Sequence, residues 1–264
     1  MPKLPAPPLP KILQPKPKRP GEVNGGAPPP IEAGITVVDW IDERTSLSGG
    51  VRWLLFRKVP RGINWAYTLG SATLFAFLSQ AVTGVFLAMY YRPDASGGAY
   101  ESIRYVTNEV FLGQFVRGMH KWGSSVMVIL IFLHMGRTFF FGAYKYPREL
   151  TWIIGVVLLI LTLAMGFTGY LLPFDQRSYW ATIVGVNING TGPLIGPYLS
   201  DFLRGGSEFG ATTLSRFYSI HMLLVPGLIA ALIGFHLYLV TKLGTTAPPW
   251  QKAETADELR EAEV

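Results

Sequence analysis

All four histidines of this 264-residue chain lie inside long apolar stretches, two in each: His120 and His134, then His221 and His236. Ionisable groups are costly within hydrocarbon and normally face a partner or cofactor there. Spacing narrows the chemistry. His120 and His134 are 14 residues apart, close to four helical turns, so their imidazoles share nearly one face about 21 Å apart. His221 and His236 are 15 apart, about 22 Å, again roughly on one face. One further apolar stretch separates the two carriers, so they run parallel and pair His120 with His221 at one depth and His134 with His236 at another. Two facing imidazoles at each of two depths is the arrangement that bis-histidine haem needs.

Glycines and arginines fit the same frame. Gly70 and Gly84 are 14 residues apart in one neighbouring stretch, and so are Gly155 and Gly169 in another. A haem wedged between the histidine carriers would press its edges on those neighbours, where a missing Cβ makes room. Small-residue helix packing is the plainer use of such glycines in membranes. Arg117 precedes His120 by one turn and Arg137 follows His134 by one, each displaced toward a membrane surface. There an arginine can hold an anionic propionate by charge-assisted hydrogen bonds; a snorkelling cation is the alternative. Arg216, five residues before His221, is a further candidate.

The elements that must position these groups are membrane spans. The chain is 49% hydrophobic and 15% charged, with 7 Trp and 16 Phe, which is too apolar for an ordinary soluble domain. Residues 62–91 carry no charge, and 25-residue uncharged runs follow Glu149 and Arg216; each can cross a hydrocarbon core of about 30 Å. The expected fold is an all-α membrane protein, a four-helix transmembrane bundle binding two haems, with spans near 63–91, 115–141, 150–173 and 214–242. Residues 1–36 hold 11 of the 20 prolines and read as a disordered, Lys-rich tail, with no apolar region of a signal peptide. From residue 37 to 58 apolar and charged residues interleave, as in a helix lying on the membrane surface. Residues 37–247 form the dihaem domain and 248–264 a polar tail.

Charge and composition exclude other classes. Ten of the 23 Lys and Arg precede Ile63, next to the first span, which argues for cytoplasmic anchoring rather than nucleic acid behind the net charge of +6. That bias, with Lys145, Arg148 and Lys242, puts both termini in the cytoplasm. The connections on the other side balance Arg92, Arg104, Arg177, Arg204 and Arg216 against Asp94, Glu101, Glu109, Asp175, Asp201 and Glu208. With no cysteine, disulfides, iron–sulfur clusters, thiol catalysis and thioether-linked cofactors are excluded. No phosphate-cradling loop exists, and no histidine remains outside the spans for a triad. The connection of about 40 residues between the last two spans is too long for a simple turn and of a length usually tied to function.

Several stretches resemble a known family, the haem-carrying N-terminal half of cytochrome b from quinol–cytochrome c reductases, in the split cytochrome b6 form. They are Tyr67-Thr-Leu-Gly70, Arg117-Gly-Met-His120, Leu133-His-Met-Gly-Arg137, Pro147-Arg-Glu-Leu-Thr-Trp152, Gly169-Tyr-Leu-Leu-Pro-Phe-Asp-Gln176 and Thr213-Leu-Ser-Arg-Phe-Tyr-Ser-Ile-His221. The resemblance runs from about residue 38 to 248, and the 15-residue histidine step is similar to the b6 type rather than the long mitochondrial type. It implies that His120 and His221 ligate a low-potential b-type haem near the outer face, and His134 and His236 a high-potential one near the inner face. It also implies that residues 169–176, with Tyr170, Pro173 and Phe174, wall a quinol-oxidation pocket beside a Rieske iron–sulfur subunit; Phe174 stands where the family usually has tryptophan. Further implied are a c-type cytochrome, surrounding membrane lipid, a homodimeric complex, a bacterial plasma membrane, and a separate subunit IV-like chain supplying the rest of cytochrome b. The chain alone is then not expected to turn over quinol, and it offers no catalytic side chain of its own. Relatives often carry a cysteine-linked third haem; Thr68 and the lack of any cysteine exclude that attachment here, and Thr241, where relatives carry an arginine, points the same way.

Two competing readings make different demands. A non-redox bundle using its histidines as proton relays calls for polar groups between them, yet residues 122–133 and 222–235 contain no ionisable side chain. A dihaem anchor of a hydrogenase or formate dehydrogenase is disfavoured by the glycine pattern and the long outer connection.

Overall fold

Apolar runs long enough to cross a membrane become helices because hydrocarbon offers the backbone no other partner for its N–H and C=O groups. A computed structural model of the chain describes residues 30–45, 62–206 and 208–250. The chain divides into two units, residues 1–57 and 58–264. The described part of the first is a single helix, α1 (Pro30–Thr45). It starts seven residues before the boundary expected at residue 37. Proline suits a first helical position, and Ile31, Ile35, Val38 and Ile41 continue one apolar series at helical steps. Arg44 closes the helix by donating to the Trp40 carbonyl at 2.8 Å while lying over the Trp40 ring. The remainder of the expected surface helix, the tail before residue 30 and the residues after 250 lie outside the described residues.

In the second unit a 3-10 turn (Trp65–Thr68) leads into α2 (Leu69–Ala88), followed by α3 (Gly98–Asn108), α4 (Gly113–Phe140) and α5 (Glu149–Tyr170). Then come α6 (Gln176–Gly190), α7 (Gly196–Arg204), α8 (Ala211–Ser219), a π turn (Ile220–Leu224) and α9 (Val225–Leu243). No strand forms among the described residues. Four segments are long and apolar enough to span: Trp65–Ala88, Gly113–Phe140, Glu149–Tyr170 and Ala211–Leu243. Large apolar side chains on them, among them Phe75 at 74% exposure and Val82 at 72%, turn outward. Such a surface is stable against lipid and not against water. The protein is an integral membrane protein built on a four-helix bundle.

Pairing within the bundle is uneven. The backbone of α2 packs along α4 and that of α9 along α5, while α4 and α5 touch over a shorter stretch. The two histidine carriers, α4 and α9, face each other across open space instead of interdigitating.

The long connection between the last two spans folds into α6 and α7. Asp175 caps α6: its carboxylate accepts from the Ser178 N–H at 2.8 Å, and the Ser178 hydroxyl accepts from the Asp175 N–H at 3.0 Å. These helices close over the ends of α3, α5 and α8 around Ala99, Leu171, Val186, Leu203, Leu214 and Phe217. At the other end of the bundle the chain does not leave the domain at residue 247. Pro248 is fully buried and the Trp250 ring meets Phe141 edge-on at 5.3 Å, so the expected polar tail begins at least three residues later.

Candidate functional site

His120 and His221 come together between α4 and the π turn, with ring centres 6.3 Å apart and ring planes at 78°. Two imidazoles sharing one metal at about 2.0–2.1 Å per nitrogen stand roughly 6 Å apart between ring centres. The proton on each ring is assigned by its neighbours. The Met165 carbonyl, which can only accept, lies 3.0 Å from His221 Nδ1. Thr83 donates its hydroxyl proton to the Ser79 carbonyl at 2.7 Å, leaving its oxygen to accept from His120 Nδ1 at 2.9 Å. Both rings therefore carry hydrogen on Nδ1 and keep a free lone pair on Nε2, the state required of a metal ligand.

His134 and His236 sit at the other level, on the wall of a cavity of about 280 Å³ that all four spans enclose. Its polar lining is unusually unsatisfied. Arg137 Nε and Nη2, Thr151 Oγ1, His236 Nδ1 and Thr246 Oγ1 are all buried and close no hydrogen bond among the described residues. The Arg137 guanidinium lies over the Tyr67 ring at 3.7 Å and near Phe141 at 5.2 Å, and it forms no ion pair among the described residues. A cation with buried donors beside two imidazoles, in a cavity walled by aliphatic side chains with threonines and Arg148 among them, suits a flat apolar ligand with a metal centre and a carboxylate edge. The donors present thus fit a haem.

The four glycines are explained one by one. A Cβ on Gly70 would stand 3.1 Å from His134 Cε1, and one on Gly84 3.2 Å from His120 Cε1. On Gly155 it would stand 3.6 Å from His236 Cε1, and on Gly169 only 2.5 Å from His221 Cε1. Each glycine therefore admits one histidine ring against the neighbouring helix; what fills the space in this structure is the imidazole, where sequence reasoning anticipated a haem edge.

The odd 15-residue step is also explained. His221 lies in the π turn, where the Val225 N–H reaches the Ile220 carbonyl, and Pro226 has no N–H to continue an α ladder. A π turn inserts one extra residue into a helix, so 15 residues here advance the face as 14 do in α4.

The arginines separate. Arg137 is at the His134–His236 cavity, whereas Arg117 is half-buried one turn from His120. Arg216 turns elsewhere: its Nη1 donates to the Phe202 carbonyl at 2.6 Å, holding the end of α7. Tyr170 is exposed, Pro173 half-buried, and Phe174 has φ +49°, a left-handed conformation that costs a bulky residue about 1–2 kcal/mol. These three residues turn the chain from α5 into α6.

Residues 55–244 match the family model described as cytochrome b/b6/petB. The chain belongs to the cytochrome b/b6 family. Among its relatives, the menaquinol:cytochrome c reductase cytochrome b subunit of Geobacillus thermodenitrificans is 42% identical over 218 residues, 80% of this chain and 97% of the relative. Cytochrome b6 of Mastigocladus laminosus is 41% identical over 212 residues, 80% of this chain and 98% of its own. A solved chain of a hyperthermophilic respiratory complex III superposes with a TM-score of 0.74 at 32% identity, covering 83% of this chain and 59% of that one. This cytochrome b/b6 chain thus spans nearly the full length of these two relatives and under two thirds of the solved chain. Sequence reasoning missed Thr83, Thr168 and the Met165 carbonyl. The threonines had a signal, since each immediately precedes a cradle glycine; the carbonyl had none, because every residue has one.

Proposed function

We propose that the chain is the dihaem b-type cytochrome subunit of a bc/b6f-type quinol:cytochrome c oxidoreductase. The observation that carries this reading is the fourfold match of imidazole to glycine, at two levels, on helices that leave a cavity between the histidine carriers. His120 and His221 would hold one haem, and His134 and His236 the other. When bound, the two haems supply one-electron stations within the hydrocarbon, the transmembrane arm of a proton-motive Q cycle between a quinol-oxidation and a quinone-reduction site.

The chain's own residues do the rest. Thr83 and the Met165 carbonyl orient the first pair of rings, Arg137 offers a cation at the second level, and the spans exclude water, keeping the dielectric low around any charge held there. Residues 169–176, with Tyr170, Pro173 and Phe174, would wall the quinol pocket. The Lys/Arg bias supports both termini in the cytoplasm of a bacterial cell, which makes the His120–His221 level the outer one. A Rieske iron–sulfur subunit, a subunit IV-like chain, a c-type cytochrome and a homodimeric assembly would complete the enzyme, so the isolated chain should not oxidise quinol. No cysteine is available for a covalent third haem.

Haem extraction with a redox titration on the purified complex tests the reading. We expect two b-type haems per chain with separate midpoints, one lost in His120→Ala or His221→Ala and the other in His134→Ala or His236→Ala. A folded complex without haem in this chain would return the histidines to packing or relay roles.

A further inference from the structure

The two histidine levels differ in one chemical respect. Thr83 precedes Gly84 and Thr168 precedes Gly169, so both cradle glycines at the His120–His221 level carry a hydroxyl neighbour; Leu69 and Ile154 precede the other two glycines. Each hydroxyl proton is committed to its own helix, Thr83 to the Ser79 carbonyl at 2.7 Å and Thr168 to the Ala164 carbonyl at 2.9 Å. The oxygens are left to accept from imidazole, at 2.9 Å from His120 Nδ1 and 3.4 Å from His221 Nδ1. His221 Nδ1 also meets the Met165 carbonyl at 3.0 Å, so a backbone acceptor supports the hydroxyls at this level, whereas His236 Nδ1 closes no hydrogen bond among the described residues. At the second level the Thr151 hydroxyl and His236 Nδ1 are both buried and close no hydrogen bond with each other.

We infer that Thr83, backed by Thr168, is a positioning residue that sets the haem potential at the His120–His221 level below that at the His134–His236 level. An acceptor on Nδ1–H draws the ring toward imidazolate, making Nε2 a stronger donor. Stronger donation stabilises ferric over ferrous iron and lowers the midpoint. The inference rests on the dihaem reading above.

Redox-titrated optical spectra of the purified complex carrying Thr83→Val and Thr83→Ser provide the test. Valine keeps the branched shape and removes the acceptor; serine keeps the acceptor. Thr83→Val should retain two haems per chain and raise the lower midpoint alone, by a roughly tenfold change in the ferric-to-ferrous ratio, or about 59 mV for a one-electron couple. Thr83→Ser should restore it. An unmoved lower midpoint with both haems present, or the same rise in Thr83→Ser, overturns the inference. Should Thr83→Val lose its haem, Thr168→Val decides: the Met165 carbonyl still holds His221, and a smaller rise of the same midpoint is expected, with no rise overturning the inference. Wild-type complex without two haems would instead overturn the dihaem reading.

Discussion

Gly169 is the tightest of the four cradle positions, and Gly155 the loosest, because their absent Cβ atoms would lie 2.5 and 3.6 Å from a histidine Cε1. The first distance is far inside contact and the second is ordinary contact, so alanine should act very differently at the two. Overpacking a site costs about 1–3 kcal/mol, which is roughly a five- to 150-fold loss in affinity. Gly169→Ala is therefore expected to empty the His120–His221 level, Gly70→Ala and Gly84→Ala to weaken their levels partly, and Gly155→Ala to leave haem content near wild type. Difference spectra of membranes from the four variants would rank them. Equal loss in all four would mean that glycine serves helix packing here and not ring accommodation.

At the scale of elements, the bundle keeps two histidine ladders in step although one has an extra residue. An α-helix turns about 100° per residue, so an uncorrected fifteenth residue would swing His236 away from His134. The π turn at Ile220–Leu224 absorbs that residue. Deleting Leu223, which is exposed on this turn, should convert it to α-helix with a 14-residue step and retain both haems. Deleting Val126, exposed on α4 between its two histidines, should instead rotate His134 out of register and leave one haem per chain. Haem-to-protein ratios of the two purified variants check this. Loss of a haem in both would mean that the π turn does not act as the spacer.

The whole molecule closes one end of the cavity with the segment after α9. Tyr67 donates to the Thr246 carbonyl at 3.1 Å, and Arg148 donates to the Gly244 and Leu243 carbonyls at 3.3 and 3.1 Å. Gly244, Thr245 and Thr246 thereby become part of the wall beside His134, His236 and Arg137. Ending the chain after residue 243 is expected to make the His134–His236 haem labile on purification while the other level stays loaded. Retention of both haems through detergent washing would show that the segment is not needed to hold the cavity.

The sequence by itself determined the spans and the two histidine levels, because helical periodicity converts spacing along a chain directly into depth and face. It reached the glycines for the same reason, though it assigned their free space to haem edges, since periodicity does not say how far a ring extends from its own helix. Only the tertiary structure decided contacts made between elements: the Met165 carbonyl at His221, Arg216 turned to the Phe202 carbonyl, and Pro248 and Trp250 folded back under the bundle. The π turn belongs to that second class as well. Its signal, a fifteenth residue ahead of a proline, reads as an irregularity in the sequence, and its purpose appears only when the opposite helix sets the register it must meet.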